Sequence, residues 1–312
     1  GSEMCIRDRN KTKEKHMLQS LKELRFAPWR SAIITITIGL IALMVTFLSA
    51  LTQGLAHESV SALKEVAGDD AIVISDTSST LSGSQLDQKQ VDALEQLDAR
   101  PLYFARDKQN NDPITLLNWS KQENPQDNLF LDHQPVTWAS VEDIEQIRGQ
   151  VVAMFVDYAH IDQAQSIEGV TVLEGNDRWN VSAAYAGEQL SLNLMIGMLY
   201  LVSMLVVGAF FIVWTLQRLH TVAVSSALGA SRRILISQAL IQAVIVTLIG
   251  VVIGAVGTIT LISLIGNALP AVISGKTIVI PSLLVSAAAL IGATLSLVPI
   301  LKVDPRQALE SA

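Results

Sequence analysis

Four runs of apolar residues set the frame of this chain. Each is long enough to cross the ~30 Å hydrocarbon core of a bilayer, which takes about 20 residues as a helix. The first is SAIITITIGLIALMVTFLSAL at 31–51, and the second runs from 192 to about 216. The third and fourth occupy 234–301, with no Asp, Glu, Arg or Lys between 234 and 275. The polar stretch GNALPAVISGKTIVIP at 266–281 separates them and starts the fourth span at Pro281. Helical periodicity continues past the first run. Leu51, Leu55, Leu63 and Val66 keep mostly to one face, and Gly68 suits the residue that ends a helix. A helix over 31–67 would be about 55 Å long at ~1.5 Å per residue and would project from the membrane as a stalk. SAAYAGEQLSLNLMIGM at 182–198 predicts the returning stalk.

Between the stalks the pattern changes. AIVIS (71–75), ITLLNW (114–119), VVAMFVDY (151–158) and VTVLE (170–174) read as strands. LDQKQVDALEQL (86–97) reads as an amphipathic helix with Ser84 or Asp87 near its cap, and loops are expected near 110–113 and 123–128. The fold class is an α-helical membrane protein with four transmembrane helices and an α+β extracytoplasmic domain between helices 1 and 2.

Composition agrees. Of 312 residues 50% are hydrophobic and 16% charged, against ~25% charged in soluble domains; mean hydropathy is +0.40. The net charge of −7 argues against a nucleic-acid partner. Orientation follows from the basic residues near the spans. Lys22, Arg25 and Arg30 precede the first, and Arg218, Arg232 and Arg233 lie between the second and third without an acid. Residues 54–190 hold 23 acids and 8 bases, a net of −15. Both termini are thus expected in the cytoplasm of a bacterial cell and the acidic segment outside.

Four segments follow. Residues 1–16 begin GSEMCIRDR, similar to adapter-derived sequence, and hold the one cysteine, Cys5. KEKHM can be encoded as a purine-rich ribosome-binding sequence ahead of a start at Met17, so this tail is expected to be untranslated leader. Residues 17–53 form the cytoplasmic segment and first span. Residues 54–190 form the stalks and small α+β domain. Residues 191–312 hold the remaining spans, a connector at 221–233 and a C-terminal helix in which Asp304 caps and Pro305 opens the first turn.

No catalytic machinery is visible. SGKT at 274–277 imitates part of a phosphate-binding loop, but the required upstream Gly is Pro270. The chain is therefore read as no enzyme, with no intrinsic cofactor or metal. GVVIG at 250–254 has the small-xxx-small spacing of closely packed helices, serving contacts within one chain or between chains. The connector TVAVSSALGASRR is richer than a turn requires. Val222, Val224, Ala227 and Leu228 supply an apolar patch, Gly229 a tight turn, and Arg232 a headgroup anchor. Membrane anchoring alone would explain it; presentation to a cytoplasmic protein is the alternative.

ALGASRR before a long apolar run, with a terminal KVDPRQALE, resembles the FtsX/MacB-type ABC permeases from about Met17 to the end. That resemblance implies a permease homodimer working with a separate ABC ATPase, which docks on the 221–233 helix. The chain departs from the family pattern at Thr221, usually acidic or amide, and at Ser226, often basic. SALTQGLAHESVSAL, YAGEQLSLNLMI and ALIGATLSLVPILKVDPRQAL are similar to the permeases of haem-regulated haem exporters. Haem is a flat apolar ring with two carboxylates and an iron that accepts His, Met or Tyr. Glu58, Tyr185 and Met195 fall in those segments, and His57 adjoins Glu58; these four are the expected substrate contacts. The implied function is ATP-driven expulsion of haem or a similar amphiphile by mechanotransmission. A non-transporting mechanotransmitter that regulates a cell-wall hydrolase or sensor stands as an alternative, as does a lipid or peptide exporter.

Overall fold

The computed structural model describes residues 28–109, 112–118, 129–146, 150–217 and 232–296. Most of the connector, the C-terminal helix, the N-terminal tail and the loop expected at 123–128 lie outside them. The chain divides into two units, one of residues 52–193 and one formed by the segments on either side.

The membrane unit contains four long helices: α1 (Pro28–Ala67), α5 (Ala183–Gln217), α6 (Arg232–Ile265) and α7 (Gly275–Leu295). All four are long and apolar enough to cross a bilayer. α1 and α5 also continue into the other unit. Among them Ile38, Val45, Phe211, Val246, Val285 and Ala289 make a shared core. Leu40, Met44, Leu205, Val252 and Leu283 on the outer faces are more than one-third exposed. That much open apolar surface suits hydrocarbon rather than water, and the chain is a multi-pass membrane protein.

Backbone contact replaces side-chain bulk at two helix crossings. A Cβ added to Gly254 would lie 2.5 Å from the Gly39 carbonyl oxygen and 2.7 Å from the Ala42 Cβ. One added to Gly292 would lie 2.2 Å from the Met204 carbonyl oxygen. Thr46 Oγ1 and Thr258 Oγ1 share a buried hydrogen bond of 2.6 Å between α1 and α6. Of the two uses open to GVVIG, its glycines serve packing within one chain. The fourth span begins earlier than the sequence suggested, because Ser274 caps α7. Its Oγ accepts from Thr277 N at 3.2 Å, and Thr277 Oγ1 accepts from Ser274 N at 2.9 Å. SGKT is a helix start.

The second unit is built on a seven-stranded sheet in the order β4-β5-β3-β2-β6-β1-β7. Its strands are β1 (Ala71–Ser75), β2 (Arg100–Gln109), β3 (Asp112–Asn118), β4 (Phe130–Leu131), β5 (Gln134–Ala139), β6 (Gln150–Val156) and β7 (Val170–Leu173). β3 and β5 are parallel, and the other pairs antiparallel. α2 (Gln88–Glu95) carries the expected Asp87 cap, completed by Gln90. Short helices α3 (Val141–Gln146) and α4 (Ile161–Gln165) complete the unit.

Both sheet faces are covered, so AIVIS is buried along its whole length and lacks polar alternation. Ile72, Ile74 and Phe155 pack with Val60, Leu63 and Val66 of α1 and with Trp179. Val73, Met154 and Val156 pack with Val91 and Leu94 of α2 and Ala164 of α4. The first helix ends as expected: Gly68 has φ 57° and donates to the Lys64 carbonyl at 3.1 Å. Part of the loop expected at 110–113 is strand, since Asp112 and Pro113 open β3 opposite Gln109 and Lys108. The strand at 151–158 ends two residues early, where Asp157 caps the turn Tyr158–His160.

Candidate functional site

Sequence alone singles out a carboxylate, Glu58, on the stalk part of α1. Its partner in the structure comes from a turn that the sequence does not advertise. β4 and β5 form a hairpin with Leu131 opposite Gln134, leaving Asp132 and His133 as a two-residue tip. Both have left-handed backbones, φ 49° and 61°. Two-residue hairpins favour this geometry but usually place Asn-Gly there. A histidine so placed costs about 1–3 kcal/mol of backbone strain and persists only where its surroundings hold it.

Those surroundings are the two stalks. Asp132 N donates to the Ser59 carbonyl at 3.0 Å and His133 N to the Glu58 carbonyl at 3.1 Å, so the tip sits on α1. On the other side, Asp132 Oδ1 accepts from Ser182 Oγ at 2.6 Å and from Ala184 N at 3.4 Å. Ser182 Oγ also accepts from Tyr185 N at 3.1 Å. Asp132 thus places negative charge at the start of α5, where the unsatisfied amides favour it. Arg106 reaches its other oxygen at 3.4 Å.

The His133 ring lies between two carboxylates. Nδ1 is 3.3 Å from Glu58 Oε2 and Nε2 is 2.7 Å from Glu188 Oε1. Ser59 Oγ donates to Glu188 Oε2 at 3.2 Å and lies 3.4 Å from His133 Nε2. Burial alone would lower the imidazole pKa. The hydrogen bonds and negative charges of Glu188 and Glu58 outweigh it and hold the ring above its ordinary value. The carboxylates meet opposite ring nitrogens, so they do not converge on one point. Among the described residues no group of three His, Cys, Asp or Glu is arranged to hold a metal ion.

The other expected contacts take separate positions. His57 is exposed, its ring edge-on to Phe130 at 6.5 Å. Tyr185 packs against the sheet core, with the Lys64 ammonium 5.9 Å from its ring centroid and 5.4 Å from that of Trp179. Met195 belongs to the membrane unit and is exposed on α5. The structure therefore brings Glu58 together with Glu188 through His133, while Tyr185 is occupied by packing. Of the connector residues, Val222, Val224, Ala227, Leu228 and Gly229 lie outside the described residues; Arg232 opens α6.

Residues 193–305 match the family model described as FtsX-like permease C-terminal. Over 92% of its length the chain is similar to a putative hemin transport system permease protein HrtB of Staphylococcus haemolyticus (strain JCSC1435), with 26% identity covering 97% of that protein. A protein of the same description from Staphylococcus epidermidis (strain ATCC 12228) is 25% identical over the same shares of both chains.

Proposed function

The chain is an FtsX-family permease related to permeases described as hemin transporters, and from that premise we propose that it is the membrane subunit of an ABC exporter for haem or a similar amphiphile. Two copies would work with two copies of a separate ATPase. The observation that carries the substrate reading is Glu58. It is a partly buried carboxylate on a stalk helix, within a chain similar along nearly its whole length to those permeases. A carboxylate at the membrane boundary is inexpensive among headgroups and gains strength where an apolar gap excludes water. There it can meet ferric iron.

Glu58→Ala is expected to weaken haem binding by detergent-purified protein and to remove haem stimulation of the ATPase complex. Glu65→Ala, exposed on the same helix, should behave as the parent. A Soret titration of the three proteins at equal concentration checks this. Identical affinities for Glu58→Ala and parent would remove Glu58 from the site, and absence of haem binding by the parent would end the haem reading.

The same reading places residues 54–190 outside the cell and both termini inside, following the basic residues around the spans. A cysteine at Ser120 should react with an impermeant maleimide in intact cells, whereas one at Ser226 should react only after permeabilisation. Reversed labelling would invert the topology.

A further inference from the structure

We propose that Lys64 and Arg178 form an oxyanion-binding site on the unit of residues 52–193, one that takes a carboxylate or phosphate group. The site stands on the geometry of that unit. Only one of its two ligand sources rests on the exporter reading.

A single indole holds both cations. Trp179 lies in the turn Asp177–Val181 that leads into α5. The Arg178 guanidinium carbon is 4.3 Å from its ring centroid and the Lys64 ammonium 5.4 Å. The Tyr185 ring centroid is 5.9 Å from the same ammonium. Trp179 is buried in the sheet core, so the platform is fixed. An aromatic face attracts a cation without neutralising it. Lys64 is exposed, and its charge stays available to a ligand.

Ion pairing would be the ordinary arrangement in this part of the chain, where residues 54–190 hold 23 acids and 8 bases. Glu65 and Asp69 neighbour Lys64 in sequence, and Asp177 adjoins Arg178. Yet among the described residues neither cation pairs with a carboxylate. Arg100 gives the contrast. It takes the Asp70 carboxylate and also donates to the Val66 carbonyl at 3.3 Å. Arg178 reaches only the Asp70 backbone carbonyl, through Nη1.

Structural duties account for part of this. The Nη1 bond ties the turn to the chain just past α1, and a cation in the last turn of that helix opposes its dipole. Neither duty needs a second cation beside the first, and neither satisfies Arg178 Nε. That nitrogen is buried without a hydrogen-bond partner, an omission that costs about 1–3 kcal/mol. Partial desolvation and repulsion from Arg178 both disfavour the charged Lys64 ammonium. An oxyanion accepting from both side chains cancels the repulsion and forms charge-assisted hydrogen bonds. The group can come from free phosphate, or from the carboxylates of the exported amphiphile, of which haem has two.

The test uses the full-length protein in detergent and the variants Lys64→Met and Lys64→Arg. Lys64 makes no side-chain hydrogen bond among the described residues, so the methionine removes a charge and keeps the length of the stem. Thermal unfolding is compared in sodium phosphate and in sodium chloride of equal ionic strength. Phosphate should raise the Tm of the parent by about 2–4 °C more than that of Lys64→Met, and Lys64→Arg should keep the parent's gain. General salting-out raises all three alike and cancels in the comparison. The second arm titrates iron-free protoporphyrin and its dimethyl ester, which lacks the carboxylates. Protoporphyrin should bind Lys64→Met about tenfold more weakly than the parent, and the ester should not distinguish them. A Lys64 dependence in the phosphate arm alone assigns the site to free oxyanions and severs its link to the exported substrate. A parent that binds neither haem nor protoporphyrin defeats the exporter reading and leaves the phosphate arm to decide the site. Gains and affinities equal in the parent and Lys64→Met throughout overturn the site.

Discussion

Gly292→Leu is expected to leave no assembled helix bundle. Even the first carbon of the new side chain would stand 2.2 Å from the Met204 carbonyl oxygen and 3.1 Å from Gly208 N. Both obstacles are backbone, so no rotamer change clears them, and α5 and α7 must part along the crossing. Overpacking a core usually costs about 1–3 kcal/mol and sometimes more. Here Gly292→Ala should fall at the upper end of that range. The leucine adds three further carbons to a contact already closed, with loss of the detergent-stable fold as the expected result. Gly275→Ala, at the start of the same helix with nothing within 4 Å of the added carbon, should keep the parent's melting point. Size-exclusion profiles and thermal unfolding of the three variants check this; a well-folded Gly292→Leu would show that the crossing is not the contact described.

Val224→Asp with Leu228→Asp is expected to abolish copurification of the ATPase. The two are apolar residues of the connector sequence TVAVSSALGASRR, which the exporter reading assigns to ATPase docking. Two carboxylates there would have to be desolvated against a partner at several kcal/mol, enough to reduce occupancy below detection. Membrane insertion depends on the flanking spans and should be unchanged. Affinity capture of the tagged permease from membranes, quantified for the ATPase, measures the outcome. A complex that survives the double change would leave the connector with its membrane-anchoring role.

The four spans were legible in the sequence because hydrocarbon demands an unbroken apolar run, and 31–51 or 234–265 could hardly be anything else. β1 and β6 were legible for a related reason, since a strand covered on both faces is apolar throughout. β2 was not. RPLYFARDKQ has a proline at its second position and three consecutive charged residues at 106–108, and its pairing with β6 shifts register between Leu102 and Tyr103. Asn118 mends that irregularity from the neighbouring strand, accepting from Tyr103 N at 2.7 Å and donating to the Pro101 carbonyl at 3.0 Å. Such a repair depends on residues brought together by the fold and leaves no periodic trace.

Glu58 could be singled out because its stalk segment carries a resemblance. His133 could not, because LDHQ lacks the Asn-Gly or Asp-Gly that announces a two-residue hairpin. The available signal was weaker: Asp and His are enriched among the non-glycine residues that accept positive φ. Here tertiary bonds to both stalks hold the turn in place of glycine's freedom.

The burial of β1 on both faces has a consequence for the order in which the chain is made. Its hydrogen-bonding partners, β6 and β7, are distant in sequence: Ala71 pairs with Val156, and Ser75 with Val170. At about 5–20 residues per second, roughly 80 residues of further synthesis leave this strand unpaired for about 4–16 s. AIVIS is short, free of charge and without proline, the composition most prone to pairing with a stranger. The acidic residues that immediately flank it, Asp69 and Asp70 before and Asp76 after, place like charges at both ends of every copy. Two nascent chains that aligned this segment in register would stack those charges on one another. The same aspartates that border a buried strand in the finished protein therefore oppose its premature self-association while it waits for its own partners.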